Sequence, residues 1–106
     1  MKKNYPFKTD RNGYGPSLWP TDCCAICGRS DRALHRHEPF HGSYRQKSKA
    51  FGCWTMICYG CHERLHQHDA ALDLKLKQAM QVLAMDHYGW DTQDFIREFG
   101  KNYLED

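Results

Sequence analysis

Cys24-Ala25-Ile26-Cys27-Gly28 and Cys58-Tyr59-Gly60-Cys61-His62-Glu63-Arg64-Leu65-His66 are the stretches that decide how this chain folds. Each carries a C-x-x-C pair, a spacing that lets one tight turn point two thiolates at a single tetrahedral ion. Gly28 and Gly60 ease the backbone at those turns. Two such pairs about thirty residues apart predict a four-cysteine structural zinc site built from Cys24, Cys27, Cys58 and Cys61. Closing that site holds together everything between the pairs, so metal binding becomes folding energy. Cys23 could replace Cys24 if the register slips, although the spacing selects Cys24. Cys53 reads as a small buried residue. A redox dithiol would need a thioredoxin-like βαβ pattern, which the sequence lacks.

The bulk properties show why a staple is needed. The chain has 106 residues with 41% hydrophobic content, and its mean hydropathy is −0.82. That is lean material for the core of one small domain, and domains of this kind often rely on disulfides or a metal. Six cysteines and seven histidines supply the ligands. The opening Met1-Lys2-Lys3-Asn4-Tyr5-Pro6 has no apolar segment behind its charges, which argues against a signal peptide. No apolar run approaches the ~18–20 residues of a membrane span. The expected setting is therefore the cytosol, with no membrane partner, where reduced thiols hold metal rather than pair as disulfides.

Net charge is only +2, which neither requires nor excludes nucleic acid. Its distribution is more informative. Arg36, Arg45, Lys47, Lys49 and Arg64 fall within the cysteine- and histidine-rich stretch, whereas most acids follow from Asp69 onward. A locally basic segment suits a phosphate-facing surface, and an ordinary solvated face would look the same.

Residues 1–22 read as an irregular arm, with Pro6, Gly13, Gly15, Pro16 and Pro20 among polar and aromatic residues. Lys2, Lys3, Lys8 and Arg11 could touch a phosphate backbone, although a loose tail is the expected use. The domain proper is expected over 23–106. Leu34-His35-Arg36-His37 fits a short strand with His35 and His37 on one face. Phe40 to Phe51 reads as a polar, basic loop, and Cys53 to Cys58 as a second strand. Cys61 to His68 has helical spacing. From Asp69, Leu72, Leu76, Met80 and Leu83 mark a long helix that Gly89 stops. Asp91 and Asp94 start a last helix through Phe95, Ile96, Phe99 and Tyr103. The apolar stripes of these two helices are core and are given no chemistry.

His62 and His66 stand four apart, which on a helix places both imidazoles on one face, a turn apart, where they can chelate one cation. A third group can come from the preceding strand at His37. This combination, Leu34-His35-Arg36-His37-Glu38, a second strand, then Cys58 to His66, resembles the HNH (ββα-metal) endonucleases that carry zinc knuckles. The wider stretch (His37-Glu38-Pro39-Phe40-His41-Gly42, Arg45, Lys47-Ser48, Phe51-Gly52 and Phe99-Gly100-Lys101-Asn102-Tyr103) is similar to small phage and prophage HNH proteins, including recombination-associated nucleases. The similarity spans roughly residues 23–104.

The resemblance implies a small α+β domain: a ββα-metal core with a four-cysteine zinc knuckle and C-terminal helices. It implies a nuclease that hydrolyses DNA phosphodiester bonds using one divalent ion. His37, His62 and His66 match the metal ligands, and Glu38 falls at the general-base position. Magnesium or manganese is usual for the family, while histidine ligands suit transition ions. DNA is the implied partner, with room for a recombinase or another phage protein, and a phage origin would place the protein in a bacterial host cell. One site cuts one strand, so a double-strand break would need a dimer or two binding events. Arg36, Arg45 or Arg64 could clamp neighbouring phosphates.

The sequence departs from the family twice. The family's middle asparagine would fall near Cys53, and no asparagine lies between the strands. The usual base is histidine, and an unperturbed glutamate is the weaker base at neutral pH. Glu38 could therefore be a ligand, with His35, His37 or His41 as base; His41 is the strongest of these. Two further readings stay open: a non-catalytic zinc module that binds nucleic acid or protein, and a purely structural zinc protein in which His62 or His66 joins the cysteines.

Overall fold

The apolar residues of the chain are split between two small clusters, and the two are built differently. Phe40, Phe51, Cys53, Met80, Ala84, Phe95 and Phe99 form the larger. The smaller contains Cys24, Ile57, Cys58 and Cys61, with Ala25, Ile26, Leu34 and Leu65 packed against it. Three of its four fully buried members are thiols, so its cohesion depends on what those thiols bind.

A computed structural model describes residues 8–104. Lys2 and Lys3, candidates for phosphate contact, lie outside the described residues. The elements run β1 (Leu34–His37), a 3-10 turn (Gly42–Tyr44), α1 (Arg45–Ala50), β2 (Thr55–Cys58), α2 (Tyr59–His66), α3 (Ala70–Tyr88) and α4 (Thr92–Phe99). The result is a small α+β domain with a two-stranded sheet. No helix among the described residues is long and apolar enough to cross a membrane.

β1 and β2 pair antiparallel, with Leu34 opposite Cys58 and His37 opposite Thr55. β2 is buried almost throughout, as its Thr-Met-Ile-Cys composition favours. It begins at Thr55, two residues later than the sequence suggests, and runs directly into α2. That helix covers Tyr59–His66 rather than Cys61 to His68, so Cys61, His62 and His66 all lie within it.

α3 and α4 owe their limits to side-chain caps. Asp69 accepts from the Leu72 amide at the start of α3, and Gly89 ends it in the left-handed conformation. Asp91 and Asp94 form a reciprocal capping box on α4. α4 stops at Phe99, where Gly100 turns left-handed, so Tyr103 lies beyond the helix. The tail is instead held by buried Gln81, whose Nε2 donates to Asn102 Oδ1 at 2.7 Å and whose Oε1 accepts from Tyr103 N at 2.8 Å.

One expectation fails outright: Phe40 to Phe51 is not a loop. It contains the 3-10 turn and α1, whose Ser48, Lys49 and Ala50 are buried. Arg-Gln-Lys-Ser-Lys-Ala has good helix formers but no apolar stripe, so its period is invisible until tertiary contacts choose its inner face.

Residues 8–22 contain no helix or strand, yet their backbone is tied to the domain. Gly15 N donates to Lys49 O and Leu18 N to Gly52 O. Trp54 Nε1 donates to Gly15 O at 2.8 Å, and Thr55 Oγ1 to Trp19 O at 2.9 Å. Gly52 makes the close approach feasible: its φ is +78°, and an added Cβ would run into the Pro16 carbonyl. Gly52→Ala is therefore expected to cost about 2–4 kcal/mol, from left-handed strain plus forced separation of the segments. A lowered urea midpoint at unchanged m-value would show it.

Candidate metal centres and the histidine cleft

The first C-x-x-C turn, Cys24 to Gly28, closes with Gly28 N donating to Cys24 O at 2.8 Å. The second straddles the β2–α2 junction, with Cys58 ending the strand and Cys61 in the first turn of the helix. Together they bring the donor atoms of Cys24, Cys27, Cys58 and Cys61 within 4.8 Å of one another. Four thiolates about 2.3 Å from one tetrahedral ion stand about 3.8 Å apart, and Cys27 Sγ lies 3.8 Å from Cys58 Sγ. The donor set and its spacing fit zinc. Cys23 stays outside, its thiol 3.3 Å from Thr21 Oγ1. Cys53 is fully buried in the other cluster, where burial pushes its thiol up.

Backbone amides prepare the site for thiolates. Ile26 N and Cys27 N point at Cys24 Sγ at 3.4 and 3.5 Å. Burial alone would push the Cys24 thiol up; the amide hydrogen bonds from Cys27, Cys58 and Ile26 outweigh it and bring it down to about 6. Cys61, buried and surrounded by the other cysteines, is pushed up to about 12.

Beside α2 lies a cleft of about 630 Å³. β1 supplies Arg36 and His37 to its wall, and Glu38 and His41 follow the strand. α2 supplies His62, Leu65 and His66. Arg45, Tyr14, His68, Asp69, Ala70 and Asp73 complete it. The ring centres of His37 and His62 are 5.9 Å apart, and those of His62 and His66 4.6 Å. Two imidazoles bound to one tetrahedral ion at about 2.0–2.1 Å would place their ring centres roughly 5 Å apart. The two spacings straddle that value. The ring nitrogens, however, do not converge: among the described residues only the cysteine set brings three or more such donors close enough to share an ion.

His37 has a feature that packing does not explain. Its Nε2 is buried with no hydrogen-bond partner, an arrangement costing about 1–3 kcal/mol unless something binds there. Burial, followed by the neighbouring His62, brings the His37 imidazole down to about 4. Burial and then His66 also lower His62. Both rings are therefore kept neutral, the form that ligates metals. The orphaned nitrogen leaves His37 able to take a further partner, while the three rings do not present a converged ligand set.

Glu38 is not free in the cleft. Its side chain is 9% exposed and its Oε1 accepts from Arg45 Nε at 2.8 Å. Oε2 accepts from the Tyr14 hydroxyl at 2.8 Å. Of the other arginines, Arg64 pairs with Asp69 at 3.0 Å, and the Arg36 guanidinium lies 4.1 Å above the Tyr14 ring and 4.9 Å from that of Trp54.

Sequence reasoning missed several cleft residues, among them Tyr14, Asp73 and His68. Tyr14 comes from the irregular arm, and nothing local marks it. Asp73 belongs to a helix read as pure core. His68 follows α2 with φ +65°, a left-handed conformation unusual for a non-glycine residue. Comparison with protein families, with curated proteins and with solved structures finds no match to this chain.

Proposed function

We propose that this protein is a metal-dependent nuclease of the HNH (ββα-metal) type, with a structural zinc held by Cys24, Cys27, Cys58 and Cys61. The observation that carries the reading is the buried, unpartnered Nε2 of His37, a residue that lines one cleft together with His62, His66, Arg36 and Arg45. His37, His62 and His66 would hold a divalent ion there. When bound, that ion supplies positive charge to the scissile phosphate and its leaving oxygen.

The chain's own residues do the rest. Glu38, at the family's base position, has an unused lone pair on each oxygen to accept a proton from an attacking water. His41 lines the same cleft and is the second candidate for that proton. Arg45, half-exposed beside Glu38, presents donors to a DNA phosphate. The zinc knuckle fixes the start of α2, and with it the direction from which His62 and His66 enter the cleft.

Supercoiled plasmid incubated with purified protein tests this in EDTA, magnesium, manganese, nickel and zinc. Metal-dependent conversion to the nicked form, lost in His62→Ala, is the expected result. Nicking retained in His62→Ala would refute the assignment.

A second reading is favoured by the doubly bonded Glu38 and by the unconverged ring nitrogens: a non-catalytic zinc module that binds nucleic acid. It predicts DNA binding without nicking in every metal.

A further inference from the structure

Tyr14 stands where two other cleft residues, Glu38 and Arg36, meet. Its hydroxyl donates to Glu38 Oε2 at 2.8 Å, its ring lies 4.1 Å from the Arg36 guanidinium and 4.7 Å from Lys49 Nζ, and Trp54 packs edge-on against it at 5.5 Å. A local turn fixes it, with Tyr14 N donating to Asp10 Oδ1 at 3.0 Å and Asp10 N to Tyr14 O at 2.8 Å. The carboxylate of Glu38 is thereby held on both oxygens, by the arm on one side and by Arg45 on the other. A carboxylate this buried is costly unless such donors are present. With both present, its rotation is fixed.

Arg45 is bound to Glu38 through Nε alone. Its two terminal nitrogens carry four more N–H donors, which the pairing with Glu38 does not use. A guanidinium anchored at Nε keeps that fork in one orientation, as two-pronged recognition of a phosphate requires.

We propose that Tyr14 is a positioning residue: acting through Glu38, it holds Arg45 so that the terminal fork of the guanidinium receives a DNA phosphate beside the histidines. This rests on the nuclease reading. It assigns the clamp to Arg45 rather than Arg36 or Arg64, and it makes the arm part of the site.

Tyr14→Phe isolates the effect, because it keeps the ring, its cation contacts and the net charge and removes only the hydroxyl. The full-length, zinc-loaded chain is compared with Tyr14→Phe and Arg45→Gln in melting temperature, affinity for a short duplex across salt concentrations, and nicking rate at saturating protein. Tyr14→Phe is expected to melt within a few degrees of wild type and to bind DNA with the same salt slope. Its saturated nicking should be slower by about tenfold or more. Arg45→Gln is expected to lose about one unit of salt slope, one phosphate contact. Wild-type nicking rates in Tyr14→Phe, or a loss appearing wholly in affinity or melting, would overturn the proposal while leaving the nuclease intact. An unchanged salt slope in Arg45→Gln would overturn the clamp. Absence of nicking by the wild type in every metal would bring down the nuclease reading itself, and this inference with it.

Discussion

Cys24→Ser, or removal of zinc by a strong chelator, is expected to unfold the domain rather than weaken it. The smaller core is three thiols and Ile57, with only Ala25, Ile26, Leu34 and Leu65 around them, too little apolar surface to hold the two-stranded sheet to α2 unaided. A structural zinc in such a site contributes an apparent 10–16 kcal/mol or so, comparable to or greater than the roughly 5–15 kcal/mol of total stability in an ordinary domain. Cys58→Ser should behave alike, because it removes the ligand that joins β2 to α2. Far-ultraviolet circular dichroism recorded against bound zinc checks this: helical signal and metal should be lost together. A stripped protein that stays folded with an unchanged urea midpoint would show that the cysteines are not a folding element.

The second large effect is a loss of function with little loss of fold. His37→Ala is expected to lower metal-dependent nicking by at least about 10²–10³-fold. Its melting temperature should move by only a few degrees. The ring contributes some packing, but its buried Nε2 has no hydrogen bond to lose, and removing an unsatisfied nitrogen offsets part of the cavity cost. A purely structural histidine would give the opposite pattern, with stability falling and any activity following it. Nicking rates and thermal melts on the same preparation separate the two.

How much of this was legible in the sequence depended on whether the signal was local. The cysteine frame was readable because C-x-x-C spacing states the geometry of its own turn, and the helical register of His62 and His66 because four residues make about one turn. Asp69 and Gly89 mark the limits of α3, and Asp91 and Asp94 the start of α4, since caps are made by the residues that occupy them; the stop of α4 at Gly100 is not read from the sequence. α1 was missed for the complementary reason: Ser48 and Lys49 are buried by contacts the segment does not encode in any apolar period. Tyr14 and Glu38 are 24 positions apart, and no pattern within the arm points to that bond. Gln81 was likewise unreadable, a polar residue whose burial makes sense only once the tail folds back on α3. The candidate site shows the same division. Spacing marks His62 and His66 and the family resemblance points to His37 and Glu38, whereas the aim of the ring nitrogens and the tethering of Glu38 follow from side-chain packing.

On the proposed reading the chain builds two metal centres, one from cysteines and one from histidines. Equilibrium dialysis of zinc-loaded protein against manganese, with metals counted per chain, distinguishes this from a single centre. One additional ion per chain in the wild type, absent in both His37→Ala and His62→Ala while zinc is retained, is the predicted result. A single zinc and no further ion in all three proteins would contradict it.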